Sequence, residues 1–155
     1  MTTQQGTYIT KEGFQKVQDE LLHLKNVKRR EIADRIQQAK ELGDLSENAE
    51  YVEAKNEQAF VEGRVLELEN LARNAIVIEQ TTGGDVVIIG STISVEIDGK
   101  EMEFSIVGSS EADPTNGRIS NESPLGKAFL GKHVGETAEV ATPRGTSVYR
   151  IKKLK

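Results

Sequence analysis

Two textures divide the chain. Up to about residue 78 there is no proline, and apolar residues recur at steps of three and four. One stripe runs Phe14, Val17, Leu21, Leu24, then Ile32, Ile36 and Ala39. A second runs Tyr51, Ala54, Val61, Val65, Leu68, Ala72 and Ala75, with Gln58 as its one polar interruption. This spacing is the seam of a two-helix coiled coil. Gly43 lies between the stripes, where a glycine just past a helix end belongs. From Gly83 onward the chain turns to β-branched runs punctuated by Gly, Asp-Gly and Pro, the pattern of strands and turns. The change falls near Thr81-Thr82-Gly83-Gly84.

The two stripes test each other. Facing residues of an antiparallel hairpin folded near Gly43 must have a nearly constant index sum. Phe14 with Ala75, Val17 with Ala72, Leu21 with Leu68 and Leu24 with Val65 each sum to 89; Ile36 with Ala54 and Ala39 with Tyr51 sum to 90. The seam closes on itself, which predicts a long antiparallel coiled-coil hairpin over residues 1–79 and a second domain over 80–155. The step of eight from Leu24 to Ile32 resembles a stutter, a local relaxation of the left-handed supercoil. On this register Lys28 faces Val61 and Ile32 faces Gln58, so the middle should be the loosest part. From Phe14 to Gly43 the rod is roughly 45 Å long at 1.5 Å per residue, a shape suited to reaching and docking.

The second half reads as a small α+β module. The segments "STISVEI" and "EMEFSIV" flank Asp98-Gly99, a strong hairpin signal. Ser123 as cap and Pro124 at the first helical position open a short helix in "SPLGKAFLG". Two more strands are expected around "ETAEVAT" and "SVYRIKK". The stretch Gly126–Lys132 matches G-x-x-x-x-G-K, but His133 stands where a phosphate-binding loop needs Ser or Thr. It also reads as helix interior, and nucleotide binding is rejected.

Composition narrows the function classes. With 155 residues the chain suffices for one ordinary domain or two small ones. Acids outnumber bases 25 to 20, so no global positive field announces nucleic-acid binding. Contact with nucleic acid must then be local or mediated by a partner. The absence of cysteine removes disulfides, thiolate zinc sites and cysteine nucleophiles together. No apolar run approaches the ~20 residues that span a bilayer, and the N-terminus has no secretory pattern. A soluble, cytoplasmic protein is expected.

Candidate chemistry concentrates at the bend. Glu41, Asp44, Glu47, Glu50 and Glu53 place an acid every three residues, with no base between Glu41 and Glu53. Asp44 and Glu47 have the spacing of an N-cap and its capping-box partner, and acids in a first helical turn suit its dipole. They also have the spacing of two carboxylates able to share a metal ion. Two carboxylates cannot alone satisfy Mg²⁺, which wants six oxygens and keeps several waters, but they could complete a site held by another protein. Lys25, Lys28, Arg29, Arg30 and Arg35 read as a solvated face paired with Glu31 and Asp34. Lys40 and Lys55 flank the acidic bend and could touch a phosphate backbone. His23 and His133 are isolated, so neither zinc nor a His-based triad is supported.

Along essentially its whole length the chain resembles the bacterial GreA/GreB transcript-cleavage factors. The most specific stretch is "GDLSENAEY" at Gly43–Tyr51, followed by "AKNEQAFVEGRV"; "LARNAIVI" and "EADPTNGRISNESPLGKAFLGKHVGE" support it. The limited basic content favours the GreA branch over the more basic GreB branch. The resemblance implies a coiled coil inserted through the secondary channel of RNA polymerase. It also implies an FKBP-like C-terminal domain docked on a coiled coil of the largest subunit at the channel rim. The polymerase's own active site would then cleave backtracked RNA, so the protein would be a cofactor rather than an enzyme. Asp44 and Glu47 would direct a transient Mg²⁺ shared with the polymerase and not bound to the free protein. Lys40 and Lys55 would contact the extruded RNA 3′ end, and Ser123 and Pro124 would dock on polymerase. Ser46 and Val52 stand where the family more often has Lys and His. A monomer, nucleoid-associated only through polymerase, is expected. The FKBP-like fold does not imply prolyl isomerase activity, because the second half offers only Phe104, Phe129 and Tyr149 for an aromatic pocket.

Two other readings stand beside this one. A channel-blocking inhibitor on the same fold would slow polymerase without releasing short RNA, although an intact Asp44/Glu47 pair argues against it. A structural or chaperone-like arm would use the bend acids only as caps.

Overall fold

The computed structural model describes residues 6–44, 47–79 and 84–155. The chain divides into two compact units: a helical arm, Phe14–Asn74, and a body formed by the described residues of Met1–Gly13 with Ala75–Lys155. The expected change of texture at Thr81–Gly83 lies outside the described residues.

The arm is a helical hairpin. Its first limb is α1 (Lys11–His23), a π-helical turn (Leu24–Lys28) and α2 (Arg29–Glu41); its second is α3 (Ala49–Asn74). The predicted stripes make the seam. Val17, Ile32, Ile36, Ala39, Ala54, Val61, Val65 and Leu68 are buried, and Leu21, Leu24 and Tyr51 pack beside them. The step of eight is resolved differently from a stutter. A π turn bonds i to i+5 and takes up the surplus locally, so Leu24 and Ile32 both reach the same cluster. A recess of about 140 Å³, lined by Arg29, Ile32, Gln58, Val61 and Glu62, lies where the sequence predicts the loosest packing.

The basic face is not simply solvated. Arg29 donates Nε–H and Nη2–H to Glu62, both at 2.7 Å, and Arg64 grips Glu20 at 2.7 and 3.0 Å. Lys25 pairs with Glu69 and Arg35 with Glu57. These links join the two limbs, whereas Lys28–Glu31 at 3.3 Å stays within one limb. The hydrogen bonds to Glu20 and then Glu67 hold the Arg64 guanidinium well above its ordinary pKa.

The second stripe ends earlier than its spacing suggests. Ala75 leaves the helix and opens β2 (Ala75–Ile78), which pairs in parallel with β1 (Thr7–Thr10) in register Thr7–Ala75 to Thr10–Ile78. Neither strand was expected from the sequence, and the proposed Phe14–Ala75 seam pair is therefore not a pair of helical residues.

A five-stranded sheet forms the rest of the body, in the order β5-β4-β3-β7-β6. Its strands are β3 (Thr92–Ile97), β4 (Lys100–Val107), β5 (Arg118–Ser120), β6 (Thr137–Thr142) and β7 (Gly145–Leu154). Only the β4–β5 pair is parallel. Asp98 and Gly99 join β3 to β4 with φ of 50° and 75°, the positive pair that a tight primed hairpin turn requires. Phe129 of α4 (Pro124–Phe129) is fully buried against Ile93, Val95, Ile106 and Ile151. Phe104, Phe129 and Tyr149 meet tilted or edge-on at centroid distances of 5.6–6.3 Å, the two Phe rings within the core and Tyr149 packed against it.

Glu111 fastens the N-terminal strand to the body. Its carboxylate, 6% exposed, accepts from Arg118 Nη2 at 3.1 Å. It also accepts from the Thr10 backbone N–H and hydroxyl, each at 2.6 Å. The Thr10 oxygen in turn accepts the Gly13 N–H at 3.0 Å, capping α1. Two glycines permit the approach: a Cβ at Gly13 would collide with the Glu111 carboxylate, and one at Gly108 with the Tyr8 carbonyl.

Candidate functional site at the hairpin bend

The bend begins where α2 exhausts its hydrogen bonds. Leu42 N–H donates to Ala39 C=O at 3.2 Å, and Gly43 follows at φ 119°. Among the described residues no neighbour lies within 4 Å of where its Cβ would sit, and the positive φ itself favours glycine. Asp44 and Glu47 follow, both exposed. Leu45 and Ser46 lie outside the described residues.

The residue that caps α3 is Asn48, not Asp44. Asn48 Oδ1 accepts the Tyr51 backbone N–H at 3.1 Å, the geometry of an N-cap and its N3 residue, and Val52 N–H donates to Asn48 C=O at 3.1 Å. Asn48 Nδ2 also donates to Ala39 C=O at 2.9 Å, crossing the bend to α2. The expectation that Asp44 begins the second helix is thus corrected. An asparagine four residues further on satisfies that end, and Asp44 and Glu47 precede the helix instead of opening it. Sequence reasoning passed over Asn48 because the D-x-x-E pattern offered an earlier start. The available signal was an Asn placed three residues before Tyr51, the first seam residue of the limb.

Asp44 and Glu47 therefore lie at exposed positions on the connection between two helices. Among the described residues no group of three or more His, Cys, Asp or Glu is arranged to hold a metal ion. Two carboxylates alone fall short of the six-oxygen shell that Mg²⁺ takes. Lys40 is exposed on the last turn of α2. Lys55 is exposed on α3 and donates to Gln58 Oε1 at 3.0 Å.

Ser123 and Pro124 belong to the body. The Ser123 hydroxyl donates to Ser120 C=O at 2.7 Å and accepts the Gly126 N–H at 3.0 Å. It caps α4 as the sequence predicts, while Pro124 at the first helical position is exposed. His133 is exposed and bound to Glu136, its backbone N–H donating at 2.6 Å. That bond holds the Glu136 carboxyl below its ordinary value.

Comparison with known proteins assigns this architecture. A family model for the transcription elongation factor N-terminal domain matches residues 7–77, and one for the GreA/GreB C-terminal domain matches residues 80–155. The chain belongs to the GreA/GreB family of transcription elongation factors. Transcription elongation factor GreA of Acetivibrio thermocellus is 51% identical, with 100% of this chain and 99% of the relative covered. That of Bacillus subtilis is 53% identical over 94% of each. Among solved structures, GreA factor homolog 1 of Thermus thermophilus is 28% identical, with a TM-score of 0.45 and coverage of 97% and 99%. The N-terminal family domain takes in the helical hairpin together with β1 and most of β2, and the C-terminal one takes in the five-stranded sheet.

Proposed function

We propose that this protein binds RNA polymerase during elongation and stimulates the polymerase to cleave backtracked nascent RNA. The observation that carries the reading is an exposed Asp44/Glu47 pair on the bend of a helical hairpin, in a chain of the GreA/GreB family. The hairpin acts as an antiparallel coiled coil inserted through the secondary channel. The body, of FKBP-like form, docks through the Ser123–Pro124 segment on the largest-subunit coiled coil at the channel rim. Ser123 fixes the start of α4 and leaves Pro124 exposed for that contact.

At the tip, Asp44 and Glu47 are the residues that would hold a cation shared with the polymerase, and their carboxylates would help to position the attacking water. Mg²⁺ bound there would stabilise the charge that develops on the attacked phosphodiester. Lys40 and Lys55 contact the phosphates of the extruded RNA 3′ end, a weak and salt-sensitive contribution. The hydrolytic machinery is the polymerase's, so the protein acts as a cofactor protein rather than as an enzyme. It works in the cytoplasm as a monomer, at the nucleoid only through polymerase.

The test is a cleavage assay on backtracked complexes over a Mg²⁺ titration. The wild-type chain should accelerate release of short 3′ RNA and lower the Mg²⁺ required. Asp44→Ala with Glu47→Ala should reduce the acceleration by about a hundredfold or more, the scale of losing a main electrostatic contributor, while polymerase binding persists. Undiminished cleavage by the double variant would refute the metal-directing role. Slowing of active and backtracked complexes alike, with no RNA released, would mark an inhibitor instead.

A further inference from the structure

We propose that Asn48 is a positioning residue for the bend acids, a role that rests on the function proposed above. Its side-chain amide makes two hydrogen bonds with separable purposes. The oxygen caps α3 through the Tyr51 N–H at 3.1 Å. The Nδ2 group reaches back nine residues to the Ala39 carbonyl at 2.9 Å and so closes a ring around Lys40–Glu47. Both ends of that clip are anchored in packed helix. Ala39 is 1% exposed, and Ala54, one turn beyond Tyr51, is fully buried. Between these anchors, residues 40–44 and Glu47 are exposed.

Two carboxylates that complete another protein's cation site must arrive in a narrow range of positions, because a misplacement of about 1 Å can cost a hundredfold in rate. A cap alone does not supply that restriction, since it orders α3 and makes no bond to α2. The Nδ2 donor does, by tying the end of α2 to the start of α3. Ser and Asp are both good caps, yet an ionised Asp carries no donor and the Ser hydroxyl stops one bond short of the amide nitrogen's reach. Substitution can therefore remove the clip and keep the cap.

Wild type, Asn48→Ser and Asn48→Asp are compared in cleavage of backtracked complexes across a Mg²⁺ titration. Helicity is followed by circular dichroism, and polymerase affinity by competition. With the clip lost, both variants should keep wild-type helicity and bind polymerase within about twofold, while cleavage at limiting Mg²⁺ falls about tenfold and the titration midpoint moves upward. Wild-type cleavage and midpoint in both variants would overturn the role and leave Asn48 a cap. Cleavage that falls only together with helicity or binding would also overturn it. Wild-type protein that fails to accelerate cleavage at all would sink the proposed function itself, an outcome distinct from either.

Discussion

The arm and the body bury their apolar residues by different geometries. In the body, Phe129 is fully buried, covered by sheet residues on one side and packed against Phe104 and Tyr149. In the arm, Ile32, Ile36, Ala54, Val61 and Val65 form one cluster between two helical limbs, whose outer faces carry charge. The body's residues are enclosed by neighbours from several elements; the arm's have neighbours from two. The arm also invests in pairs along its flanks, among them Arg29–Glu62 and Arg64–Glu20. A two-helix hairpin has no third layer to bury its outer faces, so it is tied from limb to limb where the sheet body packs a helix on its sheet.

The largest expected contrast in stability comes from deleting one core side chain in each. Phe129→Ala should cost the body about 3–5 kcal/mol, because enclosed surroundings cannot close the cavity. Ile32→Ala should cost the arm about 2 kcal/mol, the low end for this change, since Ile32 already borders a recess into which its neighbours can move. Urea unfolding followed at 222 nm for helix and in the near-ultraviolet for the Phe129–Tyr149 cluster gives both numbers. Equal costs would break the comparison.

Carboxylates sharpen it at a smaller scale. Glu111→Ala should destabilise the body by roughly 1–3 kcal/mol, the penalty for leaving buried donors unpaired. Here the orphans are the Thr10 N–H and hydroxyl, with Arg118 beside them. Glu62→Gln should barely move the 222 nm transition, because Arg29 stays solvated when its partner is gone. A loss at Glu62 matching that at Glu111 would show that the arm's pairs are structural in the same sense.

What could be read from the sequence follows from how local each cause is. The seam was legible because helical spacing repeats over many turns, and Gly43, Asp98-Gly99 and Ser123-Pro124 were legible because turns and caps are decided within a few residues. β1 and β2 were not. Four residues carry little periodic signal, and Ala75 continued the helical step that it in fact ends. Glu111 was invisible because its partner Thr10 is 101 residues away. The step of eight marked the irregular turn but could not choose between a spread stutter and a local π turn. At the bend, Asp44 and Glu47 were found as candidates, whereas the residue that orders their surroundings was hidden behind a competing cap pattern.

Acid titration probes the same contrast most gently. Glu62 is held below the ordinary carboxylate value of 4.5 chiefly by the hydrogen bond from Arg29, and Glu69 chiefly by that from Lys25. Both links run between the arm's limbs. In the body, Asp113 is lowered chiefly by the Asn116 side chain and Glu136 by the His133 N–H, partners three residues away within a single turn. A carboxyl with a depressed folded-state pKa adds stability that is complete above its unfolded value and is lost as pH falls through the folded one. Lowering the pH from about 5 through this range should therefore shift both transitions downward only slightly. Added salt should shrink the arm's response, because the Debye length falls to about 3 Å at 1 M. It should leave the Asp113 bond, made to a neutral amide, largely as it was. A 222 nm response to acid that salt leaves unchanged would show that the limb-to-limb pairs hold little.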